Sequence, residues 1–346
     1  MALTKCNFLT KIPDVSEIPN LEEFTLSECN SLVEVHDSLG FLDKLSYLAV
    51  RLCSNLISLP RSLKLRSLEM LYLEGCSSLQ KFPEIEIKME CLRDITLNGT
   101  AIKELPSSIG YLTELRQLYL RDCKSLRRLP SSIIQLQHLE ILSLANCSEH
   151  VELPTKGSSS TELFSLPLPT NSSILNDGCS SIGFPALTHL DLEDCRISKS
   201  DFLVTLDCSS TLEHLFLSRS DIIRLPACIG SLVGLRSLRL EDCKQLQEIL
   251  ELPPNIEDID ASGCVSLESF PEVSKKYEFN TSELQALEWI DLSRCYKMLV
   301  NIGNQVANPS WDEVYACLAI SSMCLYVPWL YILLQIHGIF FLTGTS

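Results

Sequence analysis

No CxxC pair occurs anywhere in the 346 residues, although the chain holds 16 cysteines. That spacing marks structural zinc and thioredoxin-like redox sites, so both readings weaken. Nor does an apolar run of signal-peptide length follow Met1-Ala2-Leu3-Thr4-Lys5-Cys6. A stapled secreted scaffold is therefore not expected, and the cysteines need a positional explanation. Positive charge is scarce: 28 basic residues face 44 acidic ones, the net charge is −16, and no basic run exceeds two. Nucleic acid is excluded as a partner, because phosphate backbones call for clustered cations. An acid surplus favours basic partners instead. No GxxxxGK[ST] loop is present, so this chain is not expected to bind nucleotide. The six histidines, at 36, 138, 150, 189, 214 and 337, share no triad or metal-ligand spacing. No enzyme activity, metal or cofactor is expected.

What the chain does have is leucine, 63 in all, and the leucines are periodic. The pattern LxxLxLxxC matches at Leu21-Phe24-Leu26-Cys29, Leu45-Leu48-Val50-Cys53, Leu68-Leu71-Leu73-Cys76 and Leu115-Leu118-Leu120-Cys123. It continues at Leu139-Leu142-Leu144-Cys147, Leu187-Leu190-Leu192-Cys195, Leu235-Leu238-Leu240-Cys243, Ile256-Ile259-Ala261-Cys264 and Leu287-Ile290-Leu292-Cys295. Two further copies, Leu92-Ile95-Leu97 and Leu212-Leu215-Leu217, put Thr100 and Ser220 at the cysteine position. Most steps between copies fall within the 20–29 residues of a leucine-rich repeat.

Leucines at positions one, four and six send alternate side chains of a short strand into a core. One repeat cannot bury its apolar face alone, so neighbours stack and their strands pair in parallel. The expected fold is an α/β solenoid, a leucine-rich-repeat horseshoe. A parallel sheet lines its concave face, and short turns or single helical turns form its convex face. At the cysteine position the chain turns away from the strand, where a small apolar side chain with a weak S–H donor fits. Cys29, Cys53, Cys76, Cys123, Cys147, Cys195, Cys243, Cys264 and Cys295 are thus read as buried free thiols. After each comes xxLxxLP, as in Cys123-Leu126-Leu129-Pro130, where proline ends the segment.

These repeats resemble the leucine-rich-repeat region of plant intracellular disease-resistance receptors, in the class with a Toll/interleukin-receptor-like and a nucleotide-binding domain. The marks are the Cys-type repeats alternating with the shorter form Leu97-Asn98-Gly99-Thr100-Ala101-Ile102-Lys103-Glu104-Leu105-Pro106. Leu217-Ser218-Arg219-Ser220-Asp221-Ile222-Ile223-Arg224-Leu225-Pro226 is a second example, and the opening Leu9-Thr10-Lys11-Ile12-Pro13-Asp14-Val15 is a third mark. The resemblance covers roughly residues 1–300 by pattern counting. It implies a recognition module in plant innate immunity, cytoplasmic, with a protein partner: a pathogen effector, a host protein under guard, or the receptor's own domains.

Strand positions between the leucines point to the concave face. There, Tyr47, Met70, Tyr72, Tyr119 and Ile141 form an apolar-aromatic strip, with Phe216 and Trp289 farther along. Exposed aromatics on such a sheet are candidate anchors, although tyrosine also suits a pleated surface for its own sake. Asp191, Glu193, Asp194, Glu241, Asp242, Asp258 and Asp260 make the second half acidic, a face that steers a basic partner or is merely solvated. His189 and His214 hold equivalent slots, for which stacking of neighbouring strands is the simpler cause than metal binding.

Two regions depart from the pattern. Residues 155–186 read either as a degenerate repeat, Leu163-Leu166-Leu168-Asn171, or as a Ser-rich insertion; Pro167 and Pro169 argue against a strand. Residues 301–346 form an apolar tail in which Val314–Ser346 carries no Asp, Glu, Lys or Arg. Residues 314–334 are long enough for a membrane span. That opens the alternative of a membrane-associated scaffold without a sensing role, against a cap on the solenoid or an altered reading of a truncated gene. The chain also starts inside a repeat, with Leu3, Cys6, Leu9 and Ile12 in its later slots. An apolar end is expected there, to be covered by more of the receptor or by a partner. The Asn-x-Ser/Thr sequons at Asn98, Asn146, Asn171 and Asn280 have meaning only in a secreted chain.

Overall fold

The computed structural model describes residues 1–147, 182–195, 206–207, 211–225, 227–270, 287–298 and 325–326. Its spine is one thirteen-stranded sheet. The strands include Ala2–Thr4, Glu23–Ser27, Tyr47–Arg51, Met70–Tyr72, Asp94–Thr96, Gln117–Tyr119 and Ile141–Ser143. They continue with His189–Asp191, His214–Phe216, Ser237–Arg239, Asp258–Asp260 and Trp289–Asp291. All twelve pair in parallel and in chain order, the geometry that stacked repeats impose.

Each strand is short because only its central residue and the leucine after it are held in the core. Leu71 and Leu73, Leu118 and Leu120, and Leu238 and Leu240 are buried, with their counterparts forming one continuous apolar column through the solenoid. Four of the convex returns are 3-10 helices, at Asp37–Phe41, Ser107–Tyr111, Ser131–Gln135 and Ala227–Ser231. Short parallel pairs follow the cysteine turn, such as Lys11–Ile12 with Glu34–Val35 and Ser62–Leu63 with Glu84–Ile85. Apart from α-helical residues 296–298, the helical component of the expected α/β architecture among the described residues therefore enters as single 3-10 turns. The packing is tight: a β-carbon on Gly40, in the first of these turns, would lie 2.2 Å from the Ser62 carbonyl oxygen.

The cysteine turn has a uniform backbone. The residue before each slot is left-handed throughout: Lys5, Glu28, Leu52, Asp122, Asn146, Asp194, Arg219, Asp242 and Arg294, with Gly75, Gly99 and Gly263 in the same role. Asp122, Asp194 and Asp242 recur there because aspartate tolerates that conformation better than most residues. Acid–base chemistry is not the cause of their register.

The strand at 141–143 pairs directly with that at 189–191. No strand from the intervening residues stands between them, so the 48-residue step contributes no rung to the concave sheet. The degenerate-repeat residues 163–171 themselves lie outside the described residues. So does most of the tail, apart from Leu325–Tyr326, which pairs antiparallel with Trp289–Ile290 at the open edge of the sheet. A strand occupies that position within 314–334, the segment read as a membrane span. Among the described residues, no helix is long and apolar enough to cross a membrane. At the other edge Leu3, Cys6 and Leu9 are only partly buried against the core, and Phe8 is 99 % exposed.

Candidate functional site

Strand register sorts the concave face into two columns. The first runs Tyr47, Met70, Asp94, Gln117, Ile141, His189, His214, Ser237, Asp258, Trp289. The second runs Ala49, Tyr72, Thr96, Tyr119, Ser143, Asp191, Phe216, Arg239, Asp260, Asp291. Successive members are strand neighbours, so side chains far apart in sequence form continuous surfaces.

In the first half Tyr47, Met70, Tyr72, Tyr119 and Ile141 are all half-buried and lie on four of five consecutive strands, the strand Asp94–Thr96 carrying none of them. Tyr47 meets Tyr72 edge to face, with ring centroids 5.6 Å apart. The Arg51 guanidinium sits 4.6 Å from the Tyr72 ring centroid and pairs with Glu74 at 2.8 Å. The Tyr72 hydroxyl donates to Met70 Sδ at 3.4 Å, and the Tyr119 hydroxyl donates to Gln117 Oε1 at 3.1 Å. These contacts hold the rings in fixed orientations, which lowers the entropy lost on binding. Burial, with help from Asp94, pushes both phenols above the usual tyrosine range, so they stay protonated donors at neutral pH. Arg51 and Asp94 complete this surface. Position counting places Asp94 on the face, but only the register reveals that its strand lies between those of Tyr72 and Tyr119.

The second half differs from a bare acidic surface. Asp191 is 8 % exposed, accepts from Ser143 Oγ at 2.8 Å and pairs with Arg121 at 3.6 Å. Asp260 pairs with Arg239 at 3.3 Å, Asp242 with Arg294 at 3.9 Å, and Glu193 with Arg219. Asp191 and Asp260 also accept backbone N–H groups two residues on, from Glu193 and Ser262. Arginines that precede the cysteine turns thus neutralise much of the acid seen in the sequence. Asp194 is an exposed turn residue, whereas Glu241 and Asp258 make no ion pair among the described residues. Phe216 lies 6.3 Å from the His214 ring, and Trp289 carries the Arg239 guanidinium 5.0 Å from its centroid.

His189 and His214 are register partners whose rings stack 4.3 Å apart at 25°. Nitrogen lone pairs lie in the ring planes, so near-parallel stacked rings do not converge on one ion. No group of three or more metal-ligating side chains occurs among the described residues.

All nine repeat cysteines are buried and free. Most donate S–H to the third-leucine carbonyl of the preceding repeat: Cys76 to Val50, Cys123 to Leu97 and Cys243 to Leu217 at 3.2 Å, Cys195 to Leu144 at 3.1 Å. Thr100 and Ser220 occupy the same slot and touch Cys123 and Cys243 at 3.5 and 3.4 Å. Burial pushes the thiols of Cys53 and Cys195 up to about 11, and those of Cys76 and Cys295 up to about 12. Burial thus keeps these four thiols protonated at neutral pH.

Comparison with known proteins places the chain in a family. The family model described as disease resistance protein RPS4B-like, leucine-rich repeats, matches residues 64–253, more than half of the chain. TMV resistance protein N of Nicotiana glutinosa is 35 % identical over 277 residues, covering 72 % of this chain and 24 % of that protein. Disease resistance protein RPS4B of Arabidopsis thaliana is 31 % identical over 283 residues, covering 79 % of this chain and 21 % of that one. The chain thus spans about a quarter or less of the length of these relatives. Among solved structures, the functional domain of InlJ from Listeria monocytogenes aligns over 84 % of this chain and 54 % of its own, at 15 % identity and a TM-score of 0.41. Leucine-rich-repeat families are typically non-catalytic and generally mediate protein–protein contacts. This chain belongs to the RPS4B-like leucine-rich-repeat family of plant disease-resistance proteins.

Proposed function

We propose that this chain is a partner-recognition module in plant defence, cytosolic, which binds a protein on the first half of its concave sheet. The observation that supports it most is the strip Tyr47, Met70, Tyr72, Tyr119 and Ile141. It presents half-exposed, conformationally held aromatic and apolar side chains on four of five consecutive strands. Tyrosine and methionine are enriched at the centres of protein interfaces, where rigid rings bury large area at little entropic cost. Family membership supports a defence role, and the repeat fold supports a protein ligand over a small molecule. Partner binding, on this reading, is the input to a defence signal.

The test is site-specific photo-crosslinking in plant tissue, with p-benzoylphenylalanine placed in turn at Tyr72, Tyr119 and Tyr111. Tyr111 lies exposed on a convex 3-10 turn. Discrete adducts from positions 72 and 119, and none from 111, are the expected result. Adducts from 111 alone would overturn the concave assignment.

A further inference from the structure

We infer that Tyr72, Asp94, Thr96 and Tyr119 form a slot on the concave sheet that takes one cationic side chain, lysine or arginine, from a protein partner. The inference rests on the concave-face reading above and gives that partner a chemistry.

Three consecutive strands build the slot. Met70, Asp94 and Gln117 are register partners, as are Tyr72, Thr96 and Tyr119. Thr96 is small, so the two tyrosines stand two strand spacings apart, about 9.5 Å at their backbones. A group held between two rings at van der Waals distance needs about 7–8 Å, and side chains on a concave face lean together. Both phenols lean toward the first column, since their hydroxyls reach Met70 Sδ and Gln117 Oε1. Those two residues flank Asp94, so the two hydroxyls stand on either side of its carboxylate.

That carboxylate is half-buried and makes no hydrogen bond or ion pair among the described residues. Elsewhere on the face Asp191, Glu193 and Asp260 each have an arginine, whereas Glu241 and Asp258 share the unpaired state of Asp94 among the described residues but have no pair of tyrosines on the strands beside them. Asp94 carries the cost of desolvation without that return. Burial, then Glu140, pushes its carboxyl up, against the pull of Arg93 and Arg116. A cation arriving from a partner supplies the missing charge and lies against aromatic faces, which attract cations in their own right. Tyr72 already does so on one side, where Arg51 packs on its ring from the preceding strand. The side toward Thr96 remains. The chain's net charge of −16 draws basic partners toward the face before contact.

The experiment is a titration of the full chain carrying 13C-labelled tyrosine rings, followed by NMR. The probes are four blocked tripeptides with arginine, lysine, citrulline or leucine between glycines. Citrulline keeps the shape of arginine and lacks its charge. Saturable shifts of the Tyr72 and Tyr119 ring signals with arginine and lysine, and none with citrulline or leucine, are expected. Asp94→Asn should weaken the arginine response at least tenfold, while Glu90→Gln, at an exposed site off the strand, should not. Equal shifts with citrulline or leucine would overturn the assignment in favour of an apolar slot. No shift with either cationic peptide, or an unchanged response in Asp94→Asn, would overturn it as well. Should Asp94→Asn fail to fold, the comparison of arginine with citrulline on the unmodified chain decides. Crosslinks at 72 and 119 without charge discrimination would leave the concave reading standing and remove the cation slot.

Discussion

The rings of His189 and His214 lie face to face with their centroids 4.3 Å apart, in equivalent slots of repeats that are 25 residues apart in sequence and adjacent in space. Burial, then the neighbouring His214, holds the His189 pKa below the usual imidazole range; Glu213 opposes this weakly. The folded state therefore resists protonation at this site more than the unfolded chain does. The stability tied to the neutral ring is present above the unfolded pKa, near 6.5, and is lost as pH falls through the lower folded value. Thermal midpoints measured from pH 7.5 to 5 should fall less steeply for His189→Gln than for the unmodified chain. Parallel curves would mean that the stack carries no titration-linked stability.

Leu52 and Gly75 hold one turn position in successive repeats, both left-handed, at φ 55° and 74°. Leucine is strained there by about 1 kcal/mol and is 53 % exposed, so little burial compensates. Leu52→Asn should raise the denaturant midpoint by the equivalent of about 0.5–1 kcal/mol. Gly75→Ala should lower it, because the added carbon would lie 2.6 Å from Leu52 Cδ2 and adopt a left-handed φ. Opposite signs would refute the turn argument.

Much of this fold is legible in the residues. Leucines at a fixed offset state the strands, their burial and their parallel stacking, and the cysteine slot follows from the turn after them. Concave positions such as Tyr72 and Trp289 are legible by counting. Side-chain pairing is not, since Asp191 meets Arg121 from a repeat 70 positions earlier in the chain. The acidic second half therefore looks unopposed in sequence, and the carboxylate of Asp94, between the strands of Tyr72 and Tyr119, looks unremarkable among so many acids. Residues 155–186 show a third limit. Leucine spacing there does not announce that the strands at 141–143 and 189–191 pair directly with each other.

Thiol accessibility separates structural from reactive cysteines. Cys91 is exposed, while the nine slot cysteines are buried and hydrogen-bonded or held protonated by burial. Brief alkylation of the native chain at pH 8, with peptide mapping by mass spectrometry, should label Cys91 and spare Cys53, Cys76, Cys195 and Cys295 until denaturant is added. Native labelling at Cys76 comparable to that at Cys91 would contradict the packing of the column.

The most direct measurement is the affinity of the chain for the partner captured at positions 72 and 119, compared with that of a Tyr72→Ala, Tyr119→Ala double variant of unchanged thermal midpoint. Two buried aromatic anchors at an interface centre are each worth about 2 kcal/mol or more, so Kd should rise well beyond tenfold. Equal affinity would contradict recognition by the concave sheet.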